Sequence, residues 1–253
     1  MNPSLGQHGN FARQPNKQSG AALIIFFLLL ILAGLAIVFS TVDSNGIKIE
    51  RDKKTAAALA KAKAAIIGWA ATQTTLTQLG QLPCPENTAL IGSSTEGTAN
   101  GACTLPAIGR LPWRSLGLGD LRDGNGDNLW YAISAGFRST TINSDTPAQL
   151  TVDGVAGTAA AIVFSPGTTI GGQTRPIPTS ATPPDKTQYL DLSNNDGDNT
   201  FVTSGATNSF NDKLLTVSHN ELFAVVEKRV ANEVLKCLDD YASTPVAVPP
   251  PIP

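Results

Sequence analysis

The stretch Gly20–Val42, GAALIIFFLLLILAGLAIVFSTV, decides how the rest of the chain is read. Its 23 residues include no charged side chain and no proline. At about 1.5 Å rise per residue a helix of this length spans roughly 35 Å, more than the ~30 Å hydrocarbon core of a bilayer. Within lipid a lone segment satisfies its backbone only as a helix, so the stretch reads as a single membrane-spanning helix. A buried helix of a soluble core and a secretory signal peptide are the competing readings. Length argues against the second, because the apolar part of a signal peptide covers about 7–15 residues.

On the N-terminal side, residues 1–19 are polar and contain no acidic residue, with Arg13 and Lys17 as the charged side chains beside His8. This reads as a cytoplasmic leader. On the other side, Lys48, Arg51, Lys53 and Lys54 follow the span, and a count of Lys and Arg alone favours the opposite orientation. Long domains translocate largely regardless of flanking charge, so the C-terminal part is placed in the periplasm.

Beyond the span, Asp43-Ser44-Asn45-Gly46 signals a turn or kink. Ile47–Leu79 then reads as an amphipathic helix: Thr55, Leu59, Ala62, Ile66, Trp69 (or Ala70), Gln73 and Leu76 recur at three- and four-residue steps. The later chain is rich in Gly, Pro, Thr, Asn and Ser, which suits strands and loops rather than a helical bundle. Leu129–Ile133 and Thr158–Phe164 read as strands, Gln188–Leu192 and Phe201–Val202 as short ones, and 166–187 as a long loop. Ser218–Tyr241 reads as a second helix opened by a Ser218/Glu221 capping box. Its apolar stripe, Leu222, Val226, Val230, Val234, Leu238 and Tyr241, is expected to pack on the sheet or the first helix. Lys228 and Arg229 read as a solvated face. The tail Val246–Pro253 is proline-rich and reads as extended.

The expected organisation is a leader (1–20), a transmembrane half-helix (21–42), a periplasmic amphipathic helix (43–79), a globular domain (80–244) and a proline-rich tail (245–253). The fold class is α+β: a long N-terminal helix, transmembrane then amphipathic, packed on a small antiparallel β-sheet with long loops, plus a C-terminal helix.

Net charge is −2, which offers no basic face for nucleic acid. No G-x-S-x-G, P-loop or H-E-x-x-H pattern occurs, and His8 and His219 have no third partner nearby in sequence. An enzymatic role is therefore not expected. Trp113, Trp130 and Tyr131 read as core. Of the three cysteines, Cys84 and Cys103 lie 19 positions apart in Pro/Gly/Asn-rich sequence, and a bridge between them suits an oxidising compartment. Two free thiols, or a pairing that uses Cys237, are the alternatives. A metal site lacks a C-x-x-C pair or a nearby His.

Two oxygen-rich runs bear on cofactors. Asp123, Asn125 and Asp127 open like a calcium loop, but Asn128 and Ser134 stand where an EF-hand needs Gly and Glu. Asp191, Asn194, Asn195, Asp196 and Asp198 form the second. Calcium is a possible ligand of either; solvated turns are the plainer reading of both.

The start of the chain resembles the type IV pilin superfamily: pilins, minor pilins and the pseudopilins of type II secretion. The resemblance rests on the short leader with Arg13 and Lys17, on Gly20, on Ala21-Ala22-Leu23-Ile24, and on the uncharged helix that follows. It implies cleavage by a prepilin peptidase between Gly20 and Ala21, methylation of Ala21, and assembly with other pilin or pseudopilin subunits through the N-terminal helix. Most members carry a glutamate five residues after the glycine, where this chain has Ile25. That departure is similar to certain minor subunits and points away from a major filament subunit. Residues 111–131 also resemble a pseudopilin segment with a D-x-W-G-N-type turn, although Asn125 stands where its tryptophan would be. The late helix is outside the ordinary pilin plan. The alternative is an unprocessed, single-span periplasmic binding module.

Overall fold

The computed structural model describes residues 19–75, 78–138 and 141–243. The leader with Arg13 and Lys17, and the tail from 244 onward, lie outside the described residues. The chain divides into two units, Met1–Ile49 and Glu50–Pro253.

Helix α1 (Ser19–Ala71) contributes to both. Residues 43–46 are helical, so the expected turn does not interrupt it. In the first unit, Gly20–Ile37 is long and apolar enough to cross a membrane, and none of that span is buried.

In the second unit α1 stops at Ala71, short of the expected Leu79. The cause is local. Thr72 and Gln73 turn their side chains back onto the Trp69 carbonyl, each at 3.0 Å. The Gly80 N–H reaches the Ala70 carbonyl at 3.1 Å. Hydroxyl and amide side chains that bond the last carbonyls compete with continued helix and close its end.

Strands β1 (Ala107–Arg110), β2 (Trp130–Ile133), β5 (Ala161–Ser165) and β7 (Lys213–Val217) form an antiparallel sheet in the order β1-β2-β5-β7. Strands β3 (Leu150–Val152), β4 (Val155–Ala159) and β6 (Thr200–Phe201) form a second, mixed sheet, with β3 parallel to β6. The expected strand Thr158–Phe164 is thus two strands in different sheets, divided at Ala160. The expected strand Gln188–Leu192 is instead flanked by short 3-10 turns at Lys186–Gln188 and Leu192–Asn194. Asp185 caps the first by accepting the Thr187 N–H at 3.0 Å, a local bond that outcompetes a ladder.

Period-two alternation divides the four-stranded sheet into two faces. Tyr131, Ile133, Val163 and Val217 cluster with Leu59, Ala62 and Ile66 of α1. Trp130, Ala132, Ile162 and Phe164 cluster with Leu150, Tyr189, Leu190 and Phe201. Full burial of an Ile, Leu or Phe side chain contributes about 1.5–3 kcal/mol, so these two clusters dominate the favourable side of folding.

Helix α2 (His219–Ser243) opens with the expected capping box. Glu221 accepts the Ser218 N–H at 3.0 Å, and Ser218 Oγ accepts the Glu221 N–H at 3.3 Å. Its stripe is only partly covered: Leu222, Phe223 and Val226 are buried, whereas Val230, Val234, Leu238 and Tyr241 are exposed.

Candidate functional site

Gly20 and Ala21 sit in the first turn of α1. From Leu23 to Leu32 every large apolar side chain is exposed, Ile25 at 59%. An uninterrupted apolar helix of this kind is chemically fitted to lipid or to a bundle of like helices.

Cys84 and Cys103 are joined in a disulfide, and Cys237 is free and exposed. The bridge joins Cys84, two residues before Glu86, to Cys103, four residues before β1, beside a buried charge pair that sequence reasoning missed. Arg110 Nε lies 3.0 Å from Glu86 Oε2, an ion pair without the alignment of a hydrogen bond. Arg110 Nη2 donates to Glu96 at 3.1 Å, and the Gly97 N–H donates to Glu86 at 2.7 Å. Burial pushes the Glu86 carboxyl above its ordinary range, and the Arg110 charge only partly offsets this. Gly97, at φ +86°, is forced by close approach: a Cβ there would meet the Trp113 ring at 2.2 Å.

Arg110 and Trp130 line two cavities. One, of about 690 Å³, adjoins Lys186 and Asp196; the other, of about 420 Å³, adjoins Arg122, Arg175 and Tyr189. Arg110 Nη1 and Trp130 Nε1 are buried without a hydrogen-bond partner. Arg175, also missed from sequence, ties the long loop together. It bonds Asp127 at 2.5 Å, the Gly167 and Pro166 carbonyls at 2.8 and 3.1 Å, and Gln173 at 2.8 Å.

The D-x-N-x-D run is a turn docked on α1. Asp123 is fully buried, and its Oδ1 accepts the Asn125 and Asp127 N–H groups at 2.8 and 3.0 Å. Its Oδ2 accepts Ser165 Oγ–H at 2.6 Å. The Gly124 N–H donates to Thr55 Oγ1 at 2.9 Å, and a Cβ at Gly124 would fall 2.1 Å from the Arg51 carbonyl oxygen. Asn125 is exposed.

The second oxygen-rich run separates into local turns and one buried network. Asp196 accepts the Asp198 N–H at 3.1 Å, Asp198 accepts the Thr200 N–H at 2.6 Å, and Asn195 donates to the Leu190 carbonyl at 2.9 Å. Asp191 is buried and joins Asp212, which the sequence did not single out. Asp191 accepts from Gln173 at 2.8 Å and from the Asn211 N–H at 2.7 Å. Asp212 Oδ2 accepts the Asp191 N–H at 2.9 Å and Asn194 Nδ2–H at 3.0 Å, while its Oδ1 is buried without a partner. Burial, reinforced by the Asp191 charge, pushes the Asp212 carboxyl up to about 7 against the pull of its N–H donors. Among the described residues, no three His, Cys, Asp or Glu side chains converge as a cation site.

His219 packs against Phe223, ring centroids 4.4 Å apart, at the start of α2. Arg229 is not a solvated residue: its guanidinium bonds the Ala71 carbonyl and, at 3.1 Å, the Gln73 carbonyl. A cation on the last carbonyls of α1 is favourable with respect to the helix dipole. Compared with known proteins, the chain matches no family model, no curated protein and no solved structure.

Proposed function

We propose that this chain is a minor pilin-like or pseudopilin-like structural subunit. It is processed by a prepilin peptidase after Gly20, held in the bacterial inner membrane, and drawn into or initiating a type IV pilus or type II secretion filament. The observation that carries the reading is α1 itself, one helix with an exposed apolar N-terminal part and, from Thr55 to Ala71, side chains buried in a disulfide-bonded body. A helix of this kind serves first in lipid and then in a bundle with other subunits. Ile25, where most members carry glutamate, supports a minor or initiating role. A carboxylate inside a membrane needs a partner, and a subunit with nothing further to pair with does not need one. The disulfide supports a body in the oxidising periplasm.

The test is the mature N-terminus. Mass spectrometry of protein from cells with active prepilin peptidase is expected to find chains beginning with methylated Ala21, and Gly20→Val is expected to abolish cleavage. An intact Met1 leader in such cells would sink the proposal and leave a single-span binding module.

A further inference from the structure

The cations that follow the apolar span lie on α1 itself and carry their charge to the surface. Every residue from Gly46 to Lys54 is exposed. Among the described residues, Lys48, Arg51, Lys53 and Lys54 enter no ion pair. Two anions stand among them. Asp52 is held by Lys213 at 2.6 Å, which leaves Glu50 against four positive charges in this stretch. Ile47 and Ile49, 54% and 56% exposed, alternate with the cations. Apolar side chains set among Lys and Arg suit the boundary between acyl chains and headgroups.

We propose that Lys48, Arg51, Lys53 and Lys54 form a collar that binds the phosphate headgroups of acidic phospholipids where α1 leaves the bilayer. The proposal rests on the reading of Gly20–Val42 as a membrane span. Position along the helix carries it. Lys48 lies six residues past Val42, about 9 Å along α1, and Lys54 about 18 Å. The headgroup layer extends about 5–8 Å beyond the hydrocarbon core. Helical side chains lean toward the N-terminus, here toward the span, and Lys and Arg stems lie along apolar surface to bring the charge to the interface. Lys48 and Arg51 then meet the headgroups, and Lys53 and Lys54 lie at about a Debye length from them, about 10 Å at 0.1 M salt. A zwitterionic surface has no net charge to match the excess, whereas each Lys or Arg near an acidic one gains about fivefold in occupancy. A protein partner would have to arrive, but the leaflet is already tethered beside the four cations by the span. The collar gives the subunit a salt-sensitive hold on the membrane that is lost when the helix is drawn out.

The full chain in vesicles of phosphatidylcholine, alone or mixed about three to one with phosphatidylglycerol, tests this. Acetylation of Lys48, Lys53 and Lys54 by acetic anhydride, read by peptide mass spectrometry, is expected to be at least about threefold slower in the mixed vesicles, with the difference lost at about 1 M salt. Lys228 is the internal control. It is exposed, and its neighbour Arg229 is tied to the end of α1, about 30 Å along the helix from Arg51. Its rate is expected to be the same in both vesicles. Native mass spectrometry after mild detergent extraction of the mixed vesicles is expected to find phosphatidylglycerol retained at least about fivefold over its share. The combined variant Lys48→Gln, Arg51→Gln, Lys53→Gln, Lys54→Gln, at exposed positions that leave the core intact, is expected to retain the two lipids in proportion. Equal acetylation in the two vesicles would overturn the collar, as would protection already complete in phosphatidylcholine, the mark of a protein partner, or a lipid preference kept by the variant. A chain washed from either vesicle by alkaline carbonate would instead fail the membrane reading on which the collar stands.

Discussion

Replacing Asp212 by Asn separates the proton from the packing at the most perturbed carboxyl of the body. In the folded chain burial holds this group up to about 7, against an ordinary value of 3.8. The charged groups that face it are Asp191, which raises it further, and Arg175, which lowers it. Between these two pH values the folded protein holds a proton that the unfolded chain has released. Stability therefore falls as pH rises through the interval, by about 1.4 kcal/mol per unit or roughly 4 kcal/mol in total. Asn keeps the oxygen that accepts from the Asp191 N–H and Asn194, and puts an amide where Oδ1 stands without a partner. A protonated carboxyl and an amide are alike in that position, so the variant matches the acid form at every pH. Urea unfolding followed by tryptophan fluorescence, on the full chain in detergent, is expected to give a variant more stable than the parent at pH 8 by about 4 kcal/mol. The advantage shrinks by about 3 kcal/mol at pH 5, where the parent has recovered most of its loss. A difference that stays constant from pH 5 to pH 8 would refute the titration of Asp212 in that range.

Gly124→Ala drives a methyl group into the Arg51 carbonyl and displaces the Gly124–Thr55 bond, so thermal unfolding is expected to show a loss of about 2–3 kcal/mol. Replacing both Cys84 and Cys103 by Ser is expected to cost about 3 kcal/mol, read from urea midpoints; equal midpoints for parent and variant would deny the bridge a stabilising role. Arg229→Gln removes the cation from the end of α1 and leaves the Ala71 and Gln73 carbonyls short of donors, an expected loss of about 1–2 kcal/mol, with faster amide exchange in the last turn of α1 as its local signature.

The two helices and the central strand were legible because each is a long periodic or apolar run whose signal is summed over many residues. Thr55, Leu59, Ala62 and Ile66 are buried as their spacing predicts, and Ser218 with Glu221 makes the capping box. The end of α1 was not legible, because the apolar periodicity continues to Leu76 while Thr72, Gln73 and the arriving Arg229 close the helix earlier. Asp153-Gly154 carries a hairpin signal in the sequence itself. Both residues have positive φ, 50° and 77°, and the dipeptide makes the turn of the β3–β4 hairpin. The buried charges were out of reach for a different reason. Arg110 meets Glu86 across 24 positions, and Arg175 meets Asp127 across 48. Pairing over such separations is decided by strand order and leaves no local pattern. The exposure of Val230 to Tyr241 was equally hidden, since an amphipathic stripe states that a face seeks cover without stating which molecule supplies it.

The run Asp123-x-Asn125-x-Asp127 shows how one pattern can serve two chemistries. A carboxylate in a tight turn can face a cation or gather backbone N–H groups, and both uses favour Asp, Asn and Gly at the same spacing. Here the Asp123 oxygens face three donors, and the turn lies on α1 through Gly124 and Thr55. A cation at Asp123 would have to displace those donors. Asp123→Ala strips all three and is expected to cost about 3 kcal/mol. Asp123→Asn is expected to cost about 1 kcal/mol, because its oxygen can keep the Asn125 and Asp127 N–H groups while the Ser165 hydroxyl turns to accept from the amide. The order of the two variants is expected to be the same with and without roughly 1 mM calcium, the concentration range of extracellular calcium modules. Thermal unfolding decides it. A parent melting temperature raised by calcium, with the rise lost in Asp123→Asn, would return this turn to the cation-binding reading and refute the docking one.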